Sequence, residues 1–159
     1  MGKTELNPKQ RDARGLRVAV LAARYNPKVA DGLLKGALLA LNDMGLSENE
    51  VETFRVPGAF ELPLMAKQLA KTGNIDAIVC LGVVIRGDTS HFDYVCEGVT
   101  QGLMRATLET QIPMAFGVLT TDNESQALAR AGDDDHNKGR EAALTAVEMA
   151  LLKKQVLHG

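Results

Sequence analysis

Hydrophobic residues follow two different spacings along the chain, and the two spacings alternate. Short apolar or β-branched runs predict strands, and each run is followed by a segment in which apolar residues recur every three or four positions. The predicted strands are Val18–Ala23, Val51–Val56, Ile75–Ile85 and Met114–Thr121. This alternation favours an α/β domain with a parallel sheet.

The third predicted strand, Ile75–Ile85, is apolar with almost no alternation, which is typical of a strand buried on both faces. Right-handed crossovers place helices on both faces of such a sheet. The expected fold is therefore a flavodoxin-like three-layer αβα sandwich with a four-stranded parallel sheet. In this architecture ligands bind beyond the carboxyl ends of the strands.

The helices are predicted from their ends as well as their periods. Asn26 and Pro27 suit an N-cap side chain and a proline at the first helical position, and Gly45 suits the end of that helix. The later helices are expected after Pro57–Gly58, from Thr89 or Ser90, over about Ser125–Ala131, and from about Asn137 to Val156.

Composition narrows the class of partner. With 159 residues, 45% of them hydrophobic, and a net charge of −2, the chain can bury one core and lacks the clustered cations that bind nucleic acid or anionic membranes. Cys80 and Cys96 are too few for a disulfide framework and lack zinc-site spacing, which suits a reducing cytoplasm. We predict a flexible N-terminal tail at residues 1–15 and a single domain at residues 16–159.

The segment after the third strand suits an anion. Gly87, Asp88 and Thr89 precede a predicted helix, where free backbone N–H groups and the positive end of the helix dipole favour a phosphate, and Arg86 adds charge nearby. The same residues also fit an ordinary turn and helix cap. Alone, this segment does not identify an enzyme.

Side chains at the same edge of the sheet could bind a planar ring. His91 lies in a first helical turn, where an imidazole can face a strand-end pocket and titrate near neutrality. Tyr25 and Phe60 could flank a heterocycle whose polar edge contacts Glu61 and the backbone of Ala59. The alternative is that the aromatic rings belong to the rim or core and that Glu61 only favours a helix start.

Two cations, Arg130 and Lys138, stand near helix ends without an evident partner on their own helices, although simple exposure to solvent is the alternative. The sequence has no nucleophile elbow, no metal-ligand spacing and no Walker-type loop. Acid–base and positional chemistry is therefore expected.

Four blocks of the chain, in the same order, resemble those of the lumazine synthase family. The blocks are Val56–Pro63, Gly82–Cys96, Phe116–Asp122 and Gln126–Gly139, within a resemblance from about Arg17 to Leu152. The resemblance implies a transferase that condenses 5-amino-6-(D-ribitylamino)uracil with 3,4-dihydroxy-2-butanone 4-phosphate to give 6,7-dimethyl-8-ribityllumazine, phosphate and water. It implies no cofactor and no metal.

The resemblance also implies roles for individual residues. Tyr25, where the family usually has phenylalanine or tryptophan, would stack on the pyrimidine. The turn Gly87–Thr89 and Arg130 would hold the phosphate, and His91 would relay protons beside two further catalytic residues, Arg130 and Lys138. The rest of the substrate site would comprise Asn26, Ala59, Phe60, Glu61, Val83, Val84, Ile85 and Phe116.

Assembly is part of the same expectation. The family forms homopentamers in which Phe116 and Arg130 would come from a neighbouring subunit. The turn Asp133–Asp135 is more acidic than is usual in the family, so pentamer, decamer and icosahedral shell all stay open.

Two rival interpretations are weaker. A flavodoxin-like FMN or phosphoacceptor module is disfavoured because the first loop has neither a Ser/Thr-rich phosphate cradle nor an acidic cluster. A non-catalytic shell-forming or flavin-binding relative is disfavoured because Phe60, His91 and Arg130 occur together.

Overall fold

Four parallel strands form one sheet in the order β2-β1-β3-β4 in the computed structural model, which describes residues 11–158. The strands are β1 (Val18–Ala23), β2 (Val51–Val56), β3 (Ala77–Ile85) and β4 (Met114–Thr121). The predicted α/β class and four-stranded parallel sheet are confirmed. The bounds of three strands agree with the prediction.

The central strands explain the long apolar runs. Every residue of β1 is buried, as are the residues of β3 from Ala77 to Val83, because helices cover both faces of the sheet. β3 begins at Ala77 rather than at Ile75. The reason is Asp76, whose N–H donates to the carbonyl of Arg17 and whose carboxylate accepts the Arg17 N–H, so that it fastens the start of β1.

In the described part of the chain, five helices flank the sheet, and four of them cover it in two pairs. They are α1 (Pro27–Asp43), α2 (Leu62–Lys71), α3 (His91–Thr110), α4 (Glu124–Leu128) and α5 (Lys138–His158), with short 3-10 turns at Glu48–Glu50 and Ala59–Glu61. α1 and α5 pack on one face, and α2 and α3 pack on the other. Among residues 11–158, no helix has the length and apolar content needed to cross a membrane.

Two helix starts differ from the prediction. Asn26 stands at the N-cap of α1, but it has a φ of 57° and its side chain makes no cap hydrogen bond. Asparagine tolerates this left-handed conformation, which turns the chain sharply from β1 into Pro27. α3 begins at His91, and Ser90 likewise makes no cap bond, while the Thr89 hydroxyl accepts the His91 N–H at 3.3 Å.

The end of the predicted tail packs on the domain. Ala13 is fully buried, and its N–H donates to the carbonyl of Met44 at 2.9 Å. Arg11 pairs with Glu148 of α5 at 3.1 Å. Residues 1–10, the remainder of the predicted tail, lie outside the described residues.

Candidate active site

A cleft of about 550 Å³ opens beyond the carboxyl ends of β1 and β3, and we call it the aromatic cleft. It forms where the loops after β1 and β2 meet the end of β3 and the start of α3, because the carboxyl ends of parallel strands share one edge. Its lining comprises Tyr25, Asn26, Gly58, Ala59, Phe60, Glu61, Val83, Val84, Ile85, His91, Tyr94 and Val95. Nine residues of the predicted site are therefore neighbours in space.

Two glycines make room for the aromatic side chains of this cleft. A β-carbon at Gly58 would lie 2.7 Å from Cδ2 of Tyr25, and one at Gly98 of α3 would lie 2.6 Å from Cε2 of Phe60. Both rings rest against bare backbone, yet Tyr25 is 64% and Phe60 60% exposed. Each ring therefore offers an open surface on which a planar ligand can stack.

Hydrogen bonds join the two loops that carry these rings. The backbone N–H groups of Arg24 and Tyr25 both donate to the carbonyl of Pro57 at 3.1 Å. The carboxylate of Glu61 accepts the N–H of Gly58 at 2.9 Å. Glu61 thus helps to fix the loop after β2, which is the helix-start role considered as its alternative.

The turn from Gly87 to Ser90 lies between β3 and α3 at the rim of the aromatic cleft. Its residues are exposed, and a β-carbon added at Gly87 would meet no atom within 4 Å. The turn leads into the positive end of the long helix α3, which favours an anion. His91, the first residue of α3, is also exposed and lines the cleft.

The guanidinium of Arg86 is paired with two carboxylates and is not free to bind an anion at this turn. Its Nε lies 3.0 Å from Oδ1 of Asp122 and its Nη1 lies 3.4 Å from Oδ1 of Asp93, while its guanidinium stacks 4.2 Å from the centre of the Phe92 ring. The hydrogen bond that Arg86 donates to Asp122, together with the nearby negative charge of Asp93, raises the pKa of Arg86. The expected contribution of Arg86 to the local charge is therefore largely offset by two carboxylates.

A second cleft, of about 420 Å³, runs along β4 and the start of α5, and we call it the arginine cleft. Phe116, Arg130 and Lys138 all line it. Arg130 donates from Nη1 to the carbonyl of Gln126 at 2.8 Å, and no carboxylate among residues 11–158 forms an ion pair with it. Lys138, in contrast, contacts Glu141 at 2.6 Å. Glu141 lies three positions after Lys138 on the same helix, a spacing at which opposite charges pair. The expectation that Lys138 has no partner on its own helix is therefore wrong.

Among residues 11–158, no residue lines both clefts. Phe116 lies on the edge strand β4 and is 44% exposed, with its aromatic ring available at the surface. Within one chain, therefore, the residues that line the arginine cleft lie apart from the aromatic cleft and the Gly87–Ser90 turn. These residues include Phe116, Arg130 and Lys138.

Sequence reasoning missed several lining residues. Tyr94 and Val95 line the aromatic cleft, and Glu141 and Thr145 line the arginine cleft. Tyr94 lies three positions after His91 on α3, so helical spacing could have identified it. Gly58 and Gly98 act through close approaches between distant segments, which no local pattern reveals.

The clefts offer acid–base and electrostatic chemistry rather than thiolate chemistry. Burial raises the pKa of the Cys80 thiol to about 12 and also raises that of Cys96, and neither residue lines either cleft. Available groups are the His91 imidazole, the Glu61 carboxylate and the Arg130 guanidinium. Such a set can transfer protons and stabilise a leaving anion.

Comparison with known proteins adds independent information. The model of the family described as 6,7-dimethyl-8-ribityllumazine synthase matches residues 15–154. A 6,7-dimethyl-8-ribityllumazine synthase of Streptomyces coelicolor is 54% identical over 148 residues, which cover 92% of this chain and 90% of that protein. Another, from Salinibacter ruber, is 51% identical over 138 residues, which cover 87% of this chain and 88% of that protein.

Proposed function

Since the chain belongs to the 6,7-dimethyl-8-ribityllumazine synthase family, we propose that its active site combines the aromatic cleft of one copy with the arginine cleft of a neighbouring copy. The protein is a transferase of riboflavin biosynthesis. It condenses 5-amino-6-(D-ribitylamino)uracil with 3,4-dihydroxy-2-butanone 4-phosphate, giving 6,7-dimethyl-8-ribityllumazine, phosphate and water.

The observation that carries the proposal is the division of useful groups between the clefts. The aromatic cleft has stacking rings and an exposed helix start, but Arg86, which precedes that turn, is held by Asp93 and Asp122. The arginine cleft, at the start of α5, has a guanidinium without a carboxylate partner in the described chain, but it lacks Tyr25, Phe60 and the exposed Gly87–Ser90 turn. A phosphate dianion is bound best by both kinds of donor together.

The pyrimidine substrate occupies the aromatic cleft in this proposal. Its ring stacks on Tyr25, the backbone of Ala59 and Phe60 and the Glu61 side chain face its polar groups, and Asn26 contacts the ligand. The apolar end of β3, at Val83, Val84 and Ile85, forms the wall behind it. Two exposed rings and an apolar wall suit a flat heterocycle with one polar edge.

The butanone phosphate occupies the rim. Its phosphate binds to the backbone N–H groups of Gly87, Asp88 and Thr89, while Arg130 and Phe116 of the neighbouring copy close over it. The Asp88 carboxylate is exposed and can turn to solvent, so the contact depends on the backbone. Lys138 lies close by, although its ion pair with Glu141 lowers its value as a phosphate ligand.

The chemistry then needs little covalent help from the protein. The substrate amine attacks the ketone carbonyl and water leaves, which forms an imine. A proton leaves C3 of the butanone unit as the C4–O bond to phosphate breaks, and the resulting enol tautomerises to a ketone at C3. The second nitrogen closes the ring on this new carbonyl with loss of a second water. His91 relays the protons, and Arg130 stabilises the departing phosphate through a charge-assisted hydrogen bond.

The proposed assembly is a homopentamer in the cytoplasm. Exposed apolar side chains along the α3, β4 and α5 side of the chain, including Leu108, Phe116, Met149 and Leu152, support a large contact between copies. A non-catalytic shell or flavin-binding role is not favoured, because the stacking rings, His91 and the phosphate turn surround one cleft.

Activity measured over a range of protein concentrations tests this proposal. Lumazine absorbance and phosphate release report turnover, and mass photometry of the same samples reports the oligomer. We expect turnover per chain to fall in parallel with the oligomer and to approach the spontaneous rate in monomers. Monomers that keep the full turnover per chain would overturn the composite site.

A further inference from the structure

Arg86 joins the segments on both sides of the Gly87–Ser90 turn. Its backbone N–H donates to the carbonyl of Thr121 at 2.8 Å, at the end of β4. Its side chain contacts Asp122 at 3.0 Å and Asp93, in the first turn of α3, at 3.4 Å. One residue therefore links the ends of β3 and β4 with the beginning of α3.

The partners of Arg86 are themselves fixed. The N–H of Asp122 donates to Oε1 of Gln126 at 2.9 Å, and the Asn123 side chain caps α4 by accepting the Gln126 N–H at 2.9 Å. Phe92 is 8% exposed and presents its ring to the guanidinium at 4.2 Å. A planar guanidinium held by two carboxylates and one ring face has a defined orientation.

The turn has few restraints of its own. Gly87, Asp88, Thr89 and Ser90 are all exposed, and the only side-chain hydrogen bond from these residues within the described chain is the Thr89 hydroxyl accepting the His91 N–H. The space around Gly87 is open. The shape of the turn therefore depends on its two ends, and Arg86 fastens both.

We propose that Arg86 is a positioning residue for the substrate phosphate. It does not touch the phosphate, but it holds the turn so that the N–H groups of Gly87 to Thr89 point at one place. The inference rests on the proposed function, in which this turn binds the phosphate of the butanone.

Two substitutions separate positioning from simple charge. Arg86→Lys keeps the positive charge but removes the planar fork, so it cannot meet both carboxylates and stack on Phe92 at once. Asp122→Ala removes a negative charge near the turn, so a charge effect alone predicts tighter phosphate binding, whereas positioning predicts weaker binding. Arg14→Lys is the matched control. Arg14 is distant from Arg86 in the sequence, and its guanidinium likewise forms an exposed two-point contact with a carboxylate, that of Asp12, at 2.8 and 2.7 Å.

The measurements are kcat, the KM of each substrate, and the inhibition constant of inorganic phosphate against the butanone phosphate. For both Arg86→Lys and Asp122→Ala we expect the KM of the butanone phosphate and the phosphate inhibition constant to rise together, by about tenfold. The KM of the pyrimidine and kcat should stay within about twofold, and Arg14→Lys should change nothing. Native mass spectrometry and thermal unfolding check each variant, and Asp122→Ala carries the test if Arg86→Lys does not fold.

Three different results would overturn the inference. Phosphate constants within about twofold of the unaltered protein in both variants would show that the turn holds its shape without Arg86. Equal changes in both KM values and in kcat would show a general structural loss. If inorganic phosphate does not compete with the butanone phosphate in the unaltered protein, the phosphate site of the proposed function fails first and the role of Arg86 fails with it.

Discussion

The ring of Phe60 occupies the space that a side chain at Gly98 would need, since a β-carbon there would lie 2.6 Å from Cε2 of the ring. Phe60 belongs to the loop after β2 and Gly98 to the middle of α3. The absence of a side chain at Gly98 thus determines where the Phe60 ring lies in the lining of the aromatic cleft.

Gly98→Ala should therefore damage pyrimidine binding more than phosphate binding. The added methyl group pushes the Phe60 ring from its place, and we expect the KM of the pyrimidine to rise by about fivefold to tenfold with little change in the KM of the butanone phosphate. Steady-state kinetics with each substrate varied in turn measures this difference. Thr100→Ala, at an exposed position of the same helix, is the control. A KM of the pyrimidine equal to that of the control would show that the ring position does not matter.

Arg130 and Lys138 should differ in importance although both line the arginine cleft. Arg130 has no carboxylate partner among residues 11–158, so Arg130→Ala should remove the proposed phosphate contact and cost about 2 kcal/mol in transition-state stabilisation. Lys138 is paired with Glu141, so Lys138→Met should cost less than about half as much. The ratio of kcat/KM values for the butanone phosphate measures both. Equal losses would contradict the difference inferred from the ion pair.

Much of the fold could be predicted from local patterns. The bounds of β1 are predicted correctly, because burial on both faces produces an unbroken apolar run that periodicity detects. The order of the elements then identified the sheet edge at which Tyr25, Phe60 and His91 meet. These features depend on residues close together in the sequence.

The rest depends on contacts between distant residues. Arg86 and Asp122 are separated by 36 positions, so no local pattern reveals that the Arg86 charge is offset. Asn26 suits an N-cap by residue type, yet the sharp turn from β1 into α1 places it in the left-handed conformation. The position of Phe60 on Gly98 is hidden for the same reason.

Asn137 should be the most important single polar residue for stability. It is 2% exposed, its Nδ2 donates to the carbonyls of Gly32 and Gly132 at 3.0 and 2.8 Å, and its Oδ1 accepts the Arg140 N–H at 3.0 Å. Asn137→Ala leaves these groups without partners and should lower the free energy of unfolding by about 2–4 kcal/mol. Urea unfolding measures the change.

The control for that experiment is Asn123→Ala. The Asn123 side chain is an exposed cap of α4 whose one hydrogen bond within residues 11–158 is accepted from the Gln126 N–H, so its loss should cost only about 1 kcal/mol. An Asn137 effect no larger than that of Asn123 would mean that water replaces its bonds.

A fall in pH should weaken the ion pair between Lys67 of α2 and Glu109 of α3. Hydrogen bonds from Arg105 and Lys67 lower the pKa of the Glu109 carboxyl from its ordinary 4.5 to about 2. Because the folded pKa is the lower one, the stabilisation is complete above pH 4.5 and is lost as the pH falls from 4.5 through 2. NMR titration of Glu109 should give the low midpoint, and the stability difference between the unaltered protein and Glu109→Gln should narrow below pH 4.5. A Glu109 midpoint at the ordinary value would contradict the contact.

The composite active site is the central claim, and mixing two impaired variants tests it most directly. Tyr25→Ala combined with Phe60→Ala destroys the aromatic cleft, while Arg130→Ala in a second chain destroys the arginine cleft. In rings assembled from equal amounts of both chains, about one interface in four pairs two intact clefts, so turnover should recover to about a quarter of that of the unaltered protein. A mixture of Tyr25→Ala chains with Phe60→Ala chains has no intact aromatic cleft and should stay inactive. If the first mixture is no more active than the average of its two components assembled separately, the active site does not combine clefts from neighbouring copies.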